Sequence, residues 1–261
     1  MAITSRQNPI VAQYRAAARG DGGGLLLDGI HLIADALRAG IGIRHAAVTT
    51  AAQSQPEVAA LMSALGRAAA RIDTVSAPVM DALSPVRSAS GIVALAERPA
   101  AGADRAFAGG TPLVVVAVDV QDPGNLGAIV RVAEAGGATG LIAAGASADP
   151  FGWKALRGSM GSSLRLPIVT ASAADAIAQL RRHACRIVAA VPRTGRPLYE
   201  TTLEGPLAIV IGSEGAGLPP DLCETADDRV TIPMDGPVES LNTAVAAALI
   251  VYEARRQRTQ A

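Results

Sequence analysis

The chain predicts an α/β fold, and three features of the sequence carry that reading. Short apolar runs alternate with longer segments of helical periodicity along nearly the whole length. One run, Pro112–Asp119 (PLVVVAVD), is valine-rich on both alternating faces, as suits a parallel strand buried on both sides. The loops after several runs are rich in glycine, proline and small polar residues, which is where open parallel sheets bind ligands. With 261 residues the chain is long enough for two ordinary domains. Half of the residues are hydrophobic but only 2% are aromatic, so the core must be built from Ala, Val, Leu and Ile.

In chain order, residues 3–19 read as a capped helix with Pro9 near its first turn and Arg6, Arg15 and Arg19 on a basic face. Leu25–Leu27 is a short buried strand, followed by a helix, IHLIADALRAG, stopped at Gly40. Arg44–Thr49 is a strand, Glu57–Ala70 an apolar helix, Arg71–Val75 a strand, Ala77–Leu83 a short helix and Gly91–Ala96 a strand. Arg98–Thr111 shows no periodicity and is rich in Ala, Gly and charge. It divides the chain into a domain at 1–99, a linker at 100–111 and a second domain at 112–261. In the second domain Pro112–Asp119 opens a series of five or six parallel strands. The others are the strand after Gly136-Gly137, then Leu166–Val169, Arg186–Val191, Leu207–Ile211 and Val230–Ile232, with a helix around Trp153 and another at Ser172–His183.

Charge excludes little. Lys+Arg and Asp+Glu are both 23, and neither half departs far from neutrality, so bulk charge does not announce a nucleic-acid binder. Lys154 is the only lysine. Cys185 and Cys223 are distant and read as reduced core residues of a cytosolic protein, so no metal site is expected. The N-terminus lacks the apolar region of a signal peptide, and Thr243–Tyr252 is too short to span a membrane.

Three polar clusters stand out. The first is Asp122-Pro123-Gly124-Asn125-Leu126-Gly127 with Arg131 further along a helix. The second is Gly212-Ser213-Glu214-Gly215-Ala216-Gly217-Leu218, directly after a buried strand. Its glycines would let a ligand approach the main chain, and its carboxylate can accept hydrogen bonds. The third runs from Ile232 through Pro233, Met234, Gly236 and Pro237 to Glu239-Ser240-Leu241-Asn242 at the head of a long apolar helix. Either Ser240 or Asn242 could cap that helix. Helix starts beside irregular loops leave backbone N–H groups free for a ligand.

Together, N-x-G-x-x-x-R, G-S-E-G-x-G-L and I-P-M-x-G-x-x-x-S-L-N resemble the three motifs of the SpoU (TrmH-type) branch of the SPOUT RNA 2′-O-ribose methyltransferases, over about residues 112–254. Asp149–Gly161 is similar to the family's middle segment. The N-terminal half is similar to the substrate-binding domain that precedes the catalytic domain in many such enzymes. The resemblance implies a ribosomal-protein-like α/β/α sandwich, then a parallel-sheet domain with a deep trefoil knot, acting as a homodimer with its site at the interface. It implies S-adenosyl-L-methionine as cofactor, held on Gly212, Ile232 and Leu241 with Val191, Met234 and Ala246 nearby. The implied reaction is methyl transfer to a ribose 2′-hydroxyl, with Asn125, Arg131, Glu214, Ser240 and Asn242 as polar site residues. The separate N-terminal domain favours ribosomal over transfer RNA, with Arg6, Arg15, Arg19, Arg38 and Arg44 as candidate contacts. A transfer-RNA enzyme and a catalytically silent RNA-binding relative are the alternatives; a dinucleotide-dependent oxidoreductase lacks its glycine fingerprint. Gly136-Gly137 departs from the family, where an aromatic residue often precedes the glycine.

Overall fold

The computed structural model of the chain describes residues 2–99 and 102–260. Ala100 and Ala101, in the predicted linker, lie outside the described residues. The chain divides into two compact units, residues 1–100 with 151–165, and residues 101–150 with 166–261.

The first unit contains α1 (Pro9–Arg19), β1 (Gly24–Asp28), α2 (Ile30–Arg38), β2 (Ile43–Thr49), α3 (Thr50–Gln53), α4 (Pro56–Arg67), β3 (Arg71–Val75), α5 (Ala77–Leu83) and β4 (Ile92–Glu97). The sheet order is β1-β4-β2-β3; β4 runs antiparallel to both neighbours, and β2 and β3 are parallel. Val11 and Tyr14 of α1 and Val79, Met80 and Leu83 of α5 pack with Leu26, Ala47 and Val93 on one face. Helices α2 and α4 cover the sheet's other face through Leu32, Ile33 and Ala36, and through Val58, Leu61 and Leu65. The result is an α/β/α sandwich. Helix α1 begins at Pro9 and not near residue 3, because the Asn8 side chain accepts from the Ile10 amide and caps it there. Ile3, upstream of the cap, is extended and bridges Val75.

This unit also holds α7 (Trp153–Ser159), which lies in the sequence beyond the predicted linker. Trp153 packs against the α1–α5 core, Arg98 stacks 4.7 Å from the Phe151 ring centre, and Arg165 reaches Asp35 at 3.3 Å.

The second unit contains β5 (Leu113–Val118), α6 (Pro123–Ala135), β6 (Gly140–Ala144), β7 (Ile168–Ala171), α8 (Ala173–Arg182), β8 (Arg186–Ala190), β9 (Arg196–Pro197), β10 (Leu207–Ile211), α9 (Pro220–Thr225), β11 (Asp228–Thr231) and α10 (Thr243–Gln260). Its sheet is parallel throughout, in the order β7-β6-β5-β10-β8-β11-β9. The six longer strands are those the sequence predicts. The seventh, β9, is two residues and too short to leave a periodic signal. All six residues of β5 are buried, as its valines require. The stretch without periodicity is partly ordered: Ala103–Phe107 forms a 3-10 turn whose Ala106 and Phe107 enter the core of this unit. Phe107 stacks on His183 with centroids 3.9 Å apart. Such a short turn is set by what it packs on, so its sequence alone carries no pattern.

Helices α6 and α10 pack closely. A Cβ on Gly136, at the end of α6, would meet Val251 Cγ1 at 2.2 Å, and Arg255 donates to the Ala135 carbonyl at 2.7 Å. Glycine at 136 leaves Val251 the room it occupies. Both cysteines are free; Cys185 is buried and Cys223 half-buried. Among the described residues no helix is long and apolar enough to cross a membrane, and no cluster of His, Cys, Asp or Glu could hold a metal ion.

Candidate functional site

The three polar clusters lie in the second unit, at the C-terminal ends of β5, β10 and β11. After β5, Asp122 caps α6: its carboxylate accepts from the Asn125 amide at 2.8 Å, with Pro123 in the first turn. Asn125 is thereby fixed in the first turn of α6. After β10, Gly212 opens a tight loop in which Gly217 N–H donates to the Ser213 carbonyl at 3.1 Å. A Cβ on Gly212 would fall 2.2 Å from the Gly217 carbonyl carbon, so only glycine fits there. Glu214 stands exposed at the tip. After β11, the proline-broken segment leads to Asn242 and α10.

Asn242 ties these loops together. Its Oδ1 accepts from the amides of Ala244 (3.0 Å) and Val245 (3.2 Å), so Asn242 and not Ser240 caps α10. Backbone amides only donate, which fixes the orientation of the side-chain amide. Its Nδ2 must therefore point the other way, and it donates to Asn125 Oδ1 (3.1 Å) and to Glu214 Oε1 (2.5 Å). Three loops, the first of them 117 residues before Asn242, meet on one NH2 group.

Beside this junction is a cavity of about 310 Å³. All six residues predicted to hold the cofactor line it: Gly212, Ile232, Leu241, Val191, Met234 and Ala246. Glu214, Ser240 and Asn242 line it as well. Its apolar side comes from Ala190, Ile211 and Ile250, at the ends of β8 and β10 and on α10. The sequence reading missed Thr243 and Ile250; their spacing from Ala246 along one helix face was the available signal. Asn125 lines a second cleft that shares Ser213, Glu214 and Gly217 with the first, so the Gly212–Leu218 loop is a wall between the two.

Arg131 is not brought to the junction. It is exposed on α6, lines neither cavity, and among the described residues makes no hydrogen bond or ion pair.

The arginines predicted for the first unit are mostly engaged locally. Arg19 pairs with Asp21 at 3.0 Å, Arg38 with Asp35 at 2.5 Å, and Arg44 with Glu97 at 3.7 Å. Arg6 donates to the Pro78 carbonyl at 2.8 Å. Arg15 is exposed and, among the described residues, unpaired. Elsewhere in that unit, buried Tyr14 bonds His45 Nδ1 at 2.8 Å, and His45 Nε2 bonds Asp73 at 3.1 Å. Burial holds His45 below the ordinary histidine value despite the carboxylate beside it. Burial pushes the Asp73 carboxyl up, but His45 and Arg71 outweigh it and hold it low.

Comparison with known proteins agrees with this geometry. Residues 112–252, the span that holds all three loops, match the model of the SpoU rRNA Methylase family. An uncharacterized tRNA/rRNA methyltransferase of Synechocystis is 35% identical over 98% of this chain and 94% of its own. The 23S rRNA (guanosine-2′-O-)-methyltransferase RlmB of a Burkholderia species is 32% identical over 89% of this chain and 96% of its own. The crystal structure of the SpoU methyltransferase AviRb from Streptomyces viridochromogenes, in complex with AdoMet, covers 97% of this chain and 99% of its own at 30% identity and a TM-score of 0.86. The match spans more than half of the chain and every loop of the site, and the chain belongs to the SpoU rRNA methylase family.

Proposed function

We propose that this protein transfers a methyl group from S-adenosyl-L-methionine to a ribose 2′-hydroxyl of ribosomal RNA. The observation that carries this reading is the Asn242 amide bonded at once to Asn125 and Glu214 at the mouth of the cavity. It assembles polar groups from three loops beside a space of small-ligand size. The cavity suits the cofactor. It is apolar along one side and polar at the other, and the Gly212 main chain borders it without a side chain.

When bound, the cofactor supplies a methyl carbon made electrophilic by its sulfonium. The protein must then align the ribose oxygen in line with that carbon and ease the loss of its proton. Glu214 and Asn125, oriented by Asn242, fix the approach of the ribose from the second cleft. Ser240 holds the loop beside them. Arginine side chains stay protonated in proteins, so Arg131 acts as an electrostatic stabiliser of the developing alkoxide and a holder of the adjacent phosphate.

The same reading makes the protein a cytoplasmic homodimer, with the last strands and α10 knotted and the site completed at the interface. Support comes from Val245, Leu249 and Tyr252, which form an exposed apolar stripe on α10 opposite its buried side. Arg131, unengaged within one chain, finds its role there. Residues 1–99 form the RNA-binding domain, 100–111 the linker and 112–261 the catalytic domain, less Phe151–Arg165, which packs with the first unit. Arg15 contacts RNA directly. Arg6, Arg19, Arg38 and Arg44 exchange their present partners for phosphates. A ribosomal substrate is favoured because the RlmB relative, matched over nearly its whole length, is named for 23S rRNA.

Arg131→Ala tests the chemistry. Methyl incorporation into ribosomal RNA is expected to fall by about 10²- to 10³-fold, the usual effect of removing one electrostatic stabiliser. Calorimetric binding of S-adenosylhomocysteine should stay near wild type. Full activity, or lost cofactor binding, would overturn the assigned role. Mapping ribose methylation in cells lacking the protein identifies the RNA; a missing methyl group on transfer RNA alone would replace the ribosomal assignment.

A further inference from the structure

The cofactor cavity contains a polar side chain that none of the three motifs accounts for. Thr243, the first residue of α10, is only 4% exposed and lines the cavity. Its neighbour Asn242 takes the two amides of the first turn, so the threonine hydroxyl is not needed as a cap. Among the described residues it has no hydrogen-bond partner. Among the described residues, the side-chain atoms sealed in the protein without a partner belong to Ser76, Ser163 and Gln179. The Thr243 hydroxyl is not one of them, so it is not fully sealed, and its residue borders the cavity.

A hydroxyl withdrawn from water without a partner is unfavourable, and valine would fill the same volume without that cost. The helix explains where the group points. Thr243, Ala246 and Ile250 recur at helical spacing and all three line the cavity. They grade from polar beside Asn242 to apolar at Ile250. Thr243 therefore stands at the junction between the apolar side of the cavity and its polar mouth.

We propose that the Thr243 hydroxyl hydrogen-bonds the bound S-adenosyl donor and is a side-chain determinant of its affinity. A hydroxyl can donate and accept, so it can serve either the nucleoside or the amino-acid end of that ligand. The inference rests on the cofactor reading above and deepens it.

Calorimetry on the full chain tests it, with S-adenosylhomocysteine as the probe and Thr243→Val and Thr243→Ser as the variants. Wild type failing to bind the probe would sink the cofactor reading itself. With wild type binding, T243V is expected to weaken affinity by roughly 3- to 10-fold, the effect of one lost hydrogen bond. T243S, which keeps the hydroxyl, is expected to stay within about twofold of wild type, since the lost methyl only borders the ligand. Ligand-free T243V should melt no lower than wild type, because its hydroxyl has no protein partner. T243V binding like wild type would overturn the proposal. So would T243S binding as weakly as T243V, since packing would then be the cause. Repeating the series with 5′-methylthioadenosine locates the bond. A loss shared by both probes puts it on the nucleoside, and a loss with S-adenosylhomocysteine alone puts it on the amino-acid end.

Discussion

The amide of Asn242 is split between two tasks: its oxygen closes the first turn of α10 and its nitrogen reaches Asn125 and Glu214. A carboxylate in its place could still cap the helix but would face Glu214 with a like charge and no donor, so the two tasks together require an amide. The sequence offers Ser240 and Asn242 equally as caps, because both precede the apolar helix and capping preference does not separate them. What decides is the pair of partners supplied by distant loops. The same limit applies to the predicted RNA contacts. The Asp35–Arg38 pair is readable at helical spacing, but Glu97 beside Arg44 appears only when β2 and β4 pair. The residue scale also carries a pH prediction. His45 is buried with a lowered folded-state value, so the folded protein takes up its proton less readily than the unfolded chain. Its contribution to stability is therefore present above about pH 6.5, the unfolded histidine value, and lost as pH falls through the lower folded value. Melting temperatures measured from pH 7.5 to 5 should decline for wild type and decline less for His45→Gln. Equal slopes would show that His45 does not couple to folding.

Among the elements, α6 and α10 depend on each other. Helix α10 buries Ala247, Ile250, Val251 and Ala254, and Val251 occupies the space that a side chain on Gly136 would need. Gly136→Ala forces that contact apart. By the usual cost of overpacking it should destabilise by about 1–3 kcal/mol, or roughly 2–4 °C in melting temperature per kcal/mol for a domain of this size. Because α6 carries Asn125 and α10 is capped by Asn242, the variant should also weaken S-adenosylhomocysteine binding. An unchanged melting curve would mean the helices can slide at no cost. The helices and long strands are legible because burial imposes a period on them. The 3-10 turn at Ala103–Phe107 and the two-residue β9 are not legible, since neither is long enough to have a period.

For the whole molecule, the open question in the sequence is whether the apolar α10 is core or interface. The structure divides it by face: Ala247, Ile250 and Val251 are buried, while Val245, Leu249 and Tyr252 stay exposed. A twofold pairing through that stripe would bury the same patch on both copies. If the chain pairs as proposed, Leu249→Arg, at a solvent-facing position of the single chain, should leave the fold intact but shift sedimentation from dimer to monomer and reduce methyl transfer. An undisturbed dimer would remove α10 from the interface. The assignment of Phe151–Arg165 to the first unit belongs to this scale too. Nothing local marks that stretch as foreign to its neighbours; it joins because Trp153 finds an apolar core and Arg165 finds Asp35.

By itself, the sequence determined the α/β class, the run of parallel strands and the three polar loops at their ends, because periodicity and the punctuation by glycine, proline and cap residues are local properties of the chain. Only the tertiary structure decided that Asn242 is the cap, that one amide joins all three loops, that a buried threonine without a partner borders the cavity, and that Arg131 stands apart from them in a single chain. Those are facts about which distant groups share a space, and hydrogen-bond partners as far apart as Asn125 and Asn242 leave no mark on the residues between them.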